Sequence, residues 1–275
     1  MKKLRKLLII GDYFQLFNYP TRKQIIYLYK AAKFEVLEQM LTTSINFEYS
    51  EKEIILQNVK IVSIFDDTYP ELLRESYDPP LILYCKGNLN LLKNQKKIAL
   101  VGSRRPQRYS MEATEKIFKD LINNNNEEFV IVSGLAAGID GLSHKLAITY
   151  KLPTIAVLGF GFNYMYPTEN KALYEEICKY GLVISEYPPH TSINRWQFVA
   201  RNRIISGLCK VVVVIEAKKK SGSLITAELA LSENREVFIV GGQSFDNAYY
   251  GSNQLIQEGA KLLLHVEEML EEYKI

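Results

Sequence analysis

Six short apolar runs, each closed by small or acidic residues, constrain this chain more than any other feature. Ile98–Val101 ends in Gly102, and Phe129–Val132 ends in Ser133–Gly134. Thr154–Leu158 ends in Gly159, and Leu182–Ile184 in Ser185–Glu186. Val211–Ile215 ends in Glu216–Ala217, and Val237–Val240 in Gly241–Gly242. Most are β-branched and all are uninterrupted, as in strands buried on both faces of a parallel sheet. Helical spacing fills the gaps at 110–123, 139–150, 169–180, 197–208 and 223–233. Strand–helix alternation with short Gly-rich loops predicts an α/β fold with a doubly wound, mostly parallel sheet. A helical turn at 252–258, a strand at 261–264 and a helix at 266–273 are expected to close it. Asn123–Asn126 reads as a loop.

Residues 1–78 have a different rhythm. They lack strong β runs, and a helical pattern follows Pro20–Thr21 through Tyr27, Leu28, Ala31, Phe34, Leu37 and Met40. Asp78–Pro79–Pro80 breaks helix and marks a boundary. The 275 residues are thus expected to form a small helical domain, 1–78, and an α/β domain, 79–275.

Net charge is only +3, so the distribution of charge is what matters. No Asp or Glu stands between Asp78 and Glu112, where seven Lys or Arg do. None stands between Glu186 and Glu216, where Arg195, Arg201, Arg203 and Lys210 do. If the fold joins these windows, a cationic surface results. The three cysteines, Cys85, Cys178 and Cys209, show no metal spacing and read as buried hydrophobes in a reducing compartment. No apolar run approaches the roughly 18 residues of a membrane span. The opening MKKLRKLLII is broken by Gly11–Asp12 before it can serve as a signal peptide. A cytoplasmic location is expected, with no membrane partner.

In a doubly wound sheet, ligands bind outside the carboxyl ends of the strands. Gly102, Ser103, Arg104 and Arg105 offer close backbone approach, a hydroxyl and forked guanidinium donors to a phosphate. Ser133, Gly134 and Gly138 lead into a helix whose free N–H groups suit an anion. Asp140 stands in its first turn, as a cap or as a ligand acceptor, and capping is the plainer reading. His144, one turn on, is expected to be satisfied by Asp140. Gly159-Phe160-Gly161 is no dinucleotide fingerprint, since Tyr164 replaces the third glycine. Phe160, Phe162, Tyr164 and Tyr166 supply core rings or faces on which bases stack. Arg201 and Arg203 flank Asn202 near a helix start, where they would clamp phosphates while Asn202 reads a sugar or base. Ser221, Gly222, Ser223 and Thr226 form another cradle, with Ser223 as helix cap. There is no Walker loop, nucleophile elbow or HExxH motif. The loops therefore read as a binding surface that needs no cofactor or metal.

Taken together, GSRRP, SGLAAGIDGLSH, AVLGFGFNYMYPTEN, LVISEYPP, FVARNRIISGL, VVVVIEAKKKSGSLITAELAL and NQLIQEGAKLL resemble the DNA-processing protein A (DprA/Smf) family in order and spacing. The likeness covers about residues 60–265. It implies an extended Rossmann-like fold that binds single-stranded DNA, loads the RecA recombinase and helps it displace single-strand binding protein during natural transformation. It also implies a homodimer without catalytic activity, preceded by a small helical domain like the SAM-like domain of some relatives. Matched by motif, the DNA-contacting loops would be Gly102–Arg104; Ser133, Gly134 and Gly138; Tyr166, Pro167, Asn170 and Lys171; Arg201–Arg203; and Ser221–Ser223 with Thr226. The chain departs at Thr168, where many relatives carry Lys, and at Gly241–Gly242, where Pro-Gly is usual. With the sequence ending at Ile275, the C-terminal winged helix of some relatives is not expected here. The rival from another class is a Rossmann-like nucleoside-monophosphate phosphoribohydrolase using Glu186 or Glu216. Its PGGxGT-x-x-E pattern is absent, SGSLITAEL being the nearest string.

Overall fold

The computed structural model describes residues 1–45, 58–123 and 128–274. Asn124–Asn126 of the expected loop lie outside these residues. Nine strands form one sheet in the order β1-β2-β6-β5-β4-β3-β7-β8-β9. They are β1 (Lys60–Ser63), β2 (Ile82–Gly87), β3 (Lys97–Val101), β4 (Val130–Ser133), β5 (Thr154–Leu158), β6 (Leu182–Ser185), β7 (Val211–Val214), β8 (Glu236–Ile239) and β9 (Lys261–Leu262). From β6 across to β9 every pairing is parallel, while β2 runs antiparallel to β6 and β1 antiparallel to β2. The expected doubly wound, mostly parallel sheet is present, with a helical region before it.

The helices that wind it are α5 (Arg108–Asn123), α6 (Ile139–Thr149), α7 (Lys171–Tyr180), α8 (Arg195–Leu208), α9 (Gly222–Ser232), α10 (Tyr250–Gln257) and α11 (Val266–Glu271). Alternate residues of β3 feed two separate cores. Ile98 and Leu100 pack with Phe118 and Leu121 of α5, and Ala99 and Val101 with Ile204 and Ile205 of α8. Both faces are thus covered, and the strand is apolar without interruption.

The N-terminal helices are α1 (Lys2–Tyr13), α2 (Tyr19–Lys30) and α3 (Phe34–Ser44). Asn18 caps α2, its side chain accepting the Thr21 N–H at 2.9 Å, and Pro20 sits in the first turn, where its missing N–H costs nothing. The fully buried Leu8, Ile25, Leu37 and Leu41 join the larger core.

Two strands were not expected. β1 lies within the segment expected to be helical, and its four residues pair with β2 from Lys60↔Cys85 to Ser63↔Ile82. It is a short edge strand, too brief for its alternation to show against a helical background. β2 follows Pro79–Pro80, which mask the run by reading as a linker. The sheet therefore extends across the 78/79 boundary, and a short helix, α4 (Glu71–Glu75), lies between the two strands.

Candidate nucleic-acid interface

The strand order turns at β3. Strands β4, β5 and β6 extend to one side of it, and β7, β8 and β9 to the other. Loops leaving the adjacent strands β3 and β7 must diverge, which opens a crevice outside their carboxyl ends. A cavity of about 200 Å³ occupies this position. Gly102 and Arg104 line it from the β3 loop, Asp140 from α6, Arg201 and Asn202 from α8, and Ser221, Gly222, Ser223 and Thr226 from the start of α9. Four of the five sequence segments expected to carry ligand chemistry thus converge on one place; the loop of Tyr166, Asn170 and Lys171 does not line it. A larger hollow of about 670 Å³ near Tyr13, Lys86 and Tyr174 lies away from the switch point, so chemistry rather than size selects the site.

Arg104 is exposed at the rim and makes no ion pair among the described residues. Its guanidinium carbon lies 5.9 Å from the centroid of Phe198, a contact that positions the charge without neutralising it. Tyr166, nearly half exposed, packs on the same ring at 5.6 Å. Arg105 is likewise exposed and unpaired among the described residues.

Arg201 differs in kind. It is only 4% exposed, and its Nη1 donates to the carbonyls of Gly134, at 2.6 Å, and Val157, pinning the ends of β4 and β5 together. Burial pushes its pKa below the ordinary value, and the Asp140 carboxylate works against that shift. Its Nε has no hydrogen-bond partner among the described residues. Arg201 thus forms part of the cavity lining and carries structural load, which corrects the picture of a freely offered clamp.

Arg203 takes another place. Its Nη1 and Nη2 each donate to Glu186 at 2.7 Å, and its Nε donates to Asp78 at 3.1 Å. Burial opposes its charge, but Glu186 and Asp78 outweigh burial and raise its pKa further. The side chain is committed to two carboxylates and is not part of the cavity lining, so the fold does not bring it together with Arg104 and Arg201. One residue separates Arg201 from Arg203, so on a helix they point about 200° apart.

Several other expected residues brace the site. Ser133 Oγ donates to the Leu100 carbonyl at 2.6 Å, tying β4 to β3. Asn170 Nδ2 donates to the carbonyls of Leu135 and Ala136, at 3.0 and 3.1 Å. Asn202 Nδ2 donates to the Gly222 carbonyl at 3.1 Å, joining α8 to the α9 start. Gly138 has φ +77°, and a Cβ there would stand 2.2 Å from the Ser103 carbonyl oxygen, so the turn that brings the β3 loop against α6 requires glycine. Lys171 is exposed at the first turn of α7, outside the cavity lining.

Three local expectations are corrected. Asp140 does not bind His144; it accepts the Gly134 N–H at 3.2 Å, and burial raises its pKa despite the nearby Arg201. His144 bonds Thr154 Oγ1 through Nδ1 at 2.7 Å, and Thr154 Oγ1 donates onward to the Ile131 carbonyl, so Nδ1 is the donor. Burial pushes its pKa down to about 3, leaving a neutral core histidine. The α9 cap is Ser221, whose hydroxyl accepts the Ser223 N–H at 3.4 Å, rather than Ser223 itself. Among the rings, Phe160 and Phe162 are core, while Tyr164 and Tyr166 are exposed. Gly161 lets its loop approach the carbonyls of Pro188 and Pro189, at 2.2 and 2.5 Å from its would-be Cβ, rather than a ligand.

A family profile described as DNA recombination-mediator protein A matches residues 60–274. The chain is 44% identical over 216 residues to the DNA processing protein DprA of Bacillus subtilis, covering 78% of this chain and 72% of that protein. Against the DprA of Streptococcus pneumoniae it is 47% identical over 212 residues, 77% and 73% of the two chains. The solved structure of the S. pneumoniae protein superposes with a TM-score of 0.78 at 40% identity, covering 99% of this chain and 93% of that one. A second structure, from Helicobacter pylori, is described as giving insight into a single-stranded DNA binding mode. It superposes with a TM-score of 0.69 at 30% identity, covering 78% and 94%. By the profile over residues 60–274 and by these identities, the chain belongs to the DNA recombination-mediator protein A family.

Proposed function

We propose that this chain binds single-stranded DNA at the switch-point cavity and loads RecA onto the bound strand. In this reading it protects incoming strands, helps RecA displace single-strand binding protein and assists recombination during natural transformation. The observation that carries the reading is Arg104: an unpaired guanidinium held by Phe198 at the rim of a recess built from glycines, serines and helix N-termini. Such a site offers charge to phosphates and a recess to a splayed base, which a duplex keeps stacked. The likeness to the H. pylori protein supports it.

How the acids are used supports binding rather than catalysis. Glu186 is committed to Arg203, and the fully buried Glu216 accepts the Gln107 N–H at 2.7 Å. Neither stands ready to protonate a leaving group, which disfavours the phosphoribohydrolase alternative. In the proposed division of labour, residues 1–78 brace the sheet and residues 79–275 hold the strand. A homodimer would place two such sites on one particle and raise avidity.

The test is fluorescence anisotropy of a labelled oligonucleotide, single-stranded and duplex, across a salt series. Engaging about three or four phosphates predicts a log–log slope of roughly −2 to −3. Equal affinity for duplex and single strand would remove the reading. Release of ribose phosphate from nucleoside monophosphates would replace it with the enzyme. RecA loading is tested separately, by RecA-dependent ATP hydrolysis on strands coated with single-strand binding protein; an unchanged rate would refute that part.

A further inference from the structure

The loop that leaves β3 passes between two cavities before it enters α5. Gly102 and Arg104 line the switch-point cavity. Gln107, Arg108 and Tyr109 line a second one of about 690 Å³, closed on its far side by Gln243, Asp246 and Tyr249. The three residues from Arg104 to Gln107 span at most about 11 Å, so the two hollows are neighbours. The partition is anchored by Glu216, which takes the Gln107 N–H from below.

The second cavity has a different chemistry. Tyr109 is 53% exposed. It meets Tyr249 edge-on, 6.1 Å between centroids at 72°, and Tyr249 is itself held by a 3.0 Å hydrogen bond to Ser110. Arg108 is balanced by Glu112 at 2.7 Å. Gln243 and Asp246 line the same hollow, and the Asp246 Oδ1 accepts the Ala248 N–H at 2.8 Å. A hollow with a carboxylate and a compensated arginine repels phosphate. A fixed, half-exposed ring beside acceptor oxygens instead suits a base, stacked on its face and donating from an amino edge. Arg105, exposed and unpaired among the described residues, stands on the partition between the two hollows, where a connecting phosphate would pass.

We propose that the hollow between Tyr109 and Asp246 is a second base subsite, taking an amino-bearing base of the same strand whose phosphates Arg104 engages. This deepens the DNA-binding reading above and rests on it. The experiment measures anisotropy with oligo-dC of about four and about eight nucleotides, the shorter meant to fill one cavity and the longer to reach both. Wild type is expected to gain affinity with length. Tyr109→Ala loses at least about fivefold on the longer strand and nothing on the shorter, while Tyr109→Phe keeps the gain because the ring remains. Oligo-dT, without the amino group, shows a smaller gain with length than oligo-dC. Wild-type affinity of Tyr109→Ala for both lengths, with Arg104→Ala weakened on both, overturns the second subsite and leaves the first standing. If Arg104→Ala is also unaffected, or wild type binds neither strand, the DNA reading falls and the subsite with it.

Discussion

Arg203 grips Glu186 through two N–H···O bonds of 2.7 Å each, across 17 residues of sequence and almost out of reach of water. The same guanidinium reaches Asp78 through Nε, and Arg22 of α2 lies 3.5 Å from Glu186. The cluster thus joins the N-terminal helices, the segment before β2 and α8. A buried carboxylate whose partner is removed is left uncompensated, so breaking the pair costs more than the pair itself contributes. Glu186→Gln is expected to lower stability by roughly 3 kcal/mol, and Arg203→Lys by a comparable amount, since an ammonium cannot reproduce the fork. Urea denaturation reads this directly. A midpoint unchanged in both variants would show that the cluster is incidental.

The two arginines of the cavity should separate cleanly. Arg104 is exposed, makes no ion pair among the described residues, and its weak pull on Asp140 is offset by its repulsion of Arg201, so Arg104→Ala should leave the melting temperature within about a degree of wild type. The magnitude of the salt slope for single strands should fall by about 0.7. Arg201→Ala removes two hydrogen bonds from buried carbonyls and takes from buried Asp140 the stronger of its two cationic neighbours, Arg201 and Arg104. It should cost roughly 3 kcal/mol of stability. Melting curves and a salt series on both variants decide the matter; equal melting temperatures for the two would contradict the assignment.

Gly138→Ala puts a methyl group 2.2 Å from the Ser103 carbonyl oxygen and 2.8 Å from Arg104 Cα, at φ +77°. Strain in a left-handed conformation adds to the clash, so a loss of at least about 1 kcal/mol is expected. The displaced element is the loop that carries Arg104, and binding should weaken with stability. A variant that melts like wild type and binds like wild type would show that the loop does not depend on this turn.

Much of the fold was legible because both faces of β3, β4, β5, β6, β7 and β8 are buried, and burial on both faces leaves an uninterrupted apolar run. β1 was missed because it is a four-residue edge, and β2, though Ile82–Cys85 are buried, because it follows two prolines that read as a linker. The convergence of Gly102, Arg104, Asn202 and Ser221–Thr226 was legible because strand carboxyl ends in such a sheet point one way. What each side chain does there was not. Arg201 and Arg203 look equivalent in the string RNR, yet carbonyls 67 and 44 residues away claim one, and carboxylates 125 and 17 residues away claim the other. His144 pairs with Thr154 rather than Asp140, a choice made by the packing of α6 on β5 and invisible to helical spacing.

A last consequence concerns pH. Asp12 of α1 is buried, with Oδ2 accepting from the Tyr84 hydroxyl at 3.0 Å and Oδ1 3.7 Å from Arg22. Burial pushes its carboxyl from the ordinary 3.8 up to about 6; Arg22 and Tyr84 pull it back, and Glu186 adds to the rise. The folded chain therefore holds this proton more tightly than the unfolded chain does. The group's contribution to stability is fully present below about pH 4 and is lost as the pH rises through about 6. The gap between the two values corresponds to roughly 3 kcal/mol. Asp12→Asn keeps the shape and cannot titrate, so the stability difference between wild type and variant isolates the term while the other carboxylates cancel. That difference should shift against wild type by up to about 3 kcal/mol between pH 4 and pH 7 in urea denaturation. A difference that stays flat across this range would mean that Asp12 is ionised throughout and that Arg22, rather than burial, governs its charge.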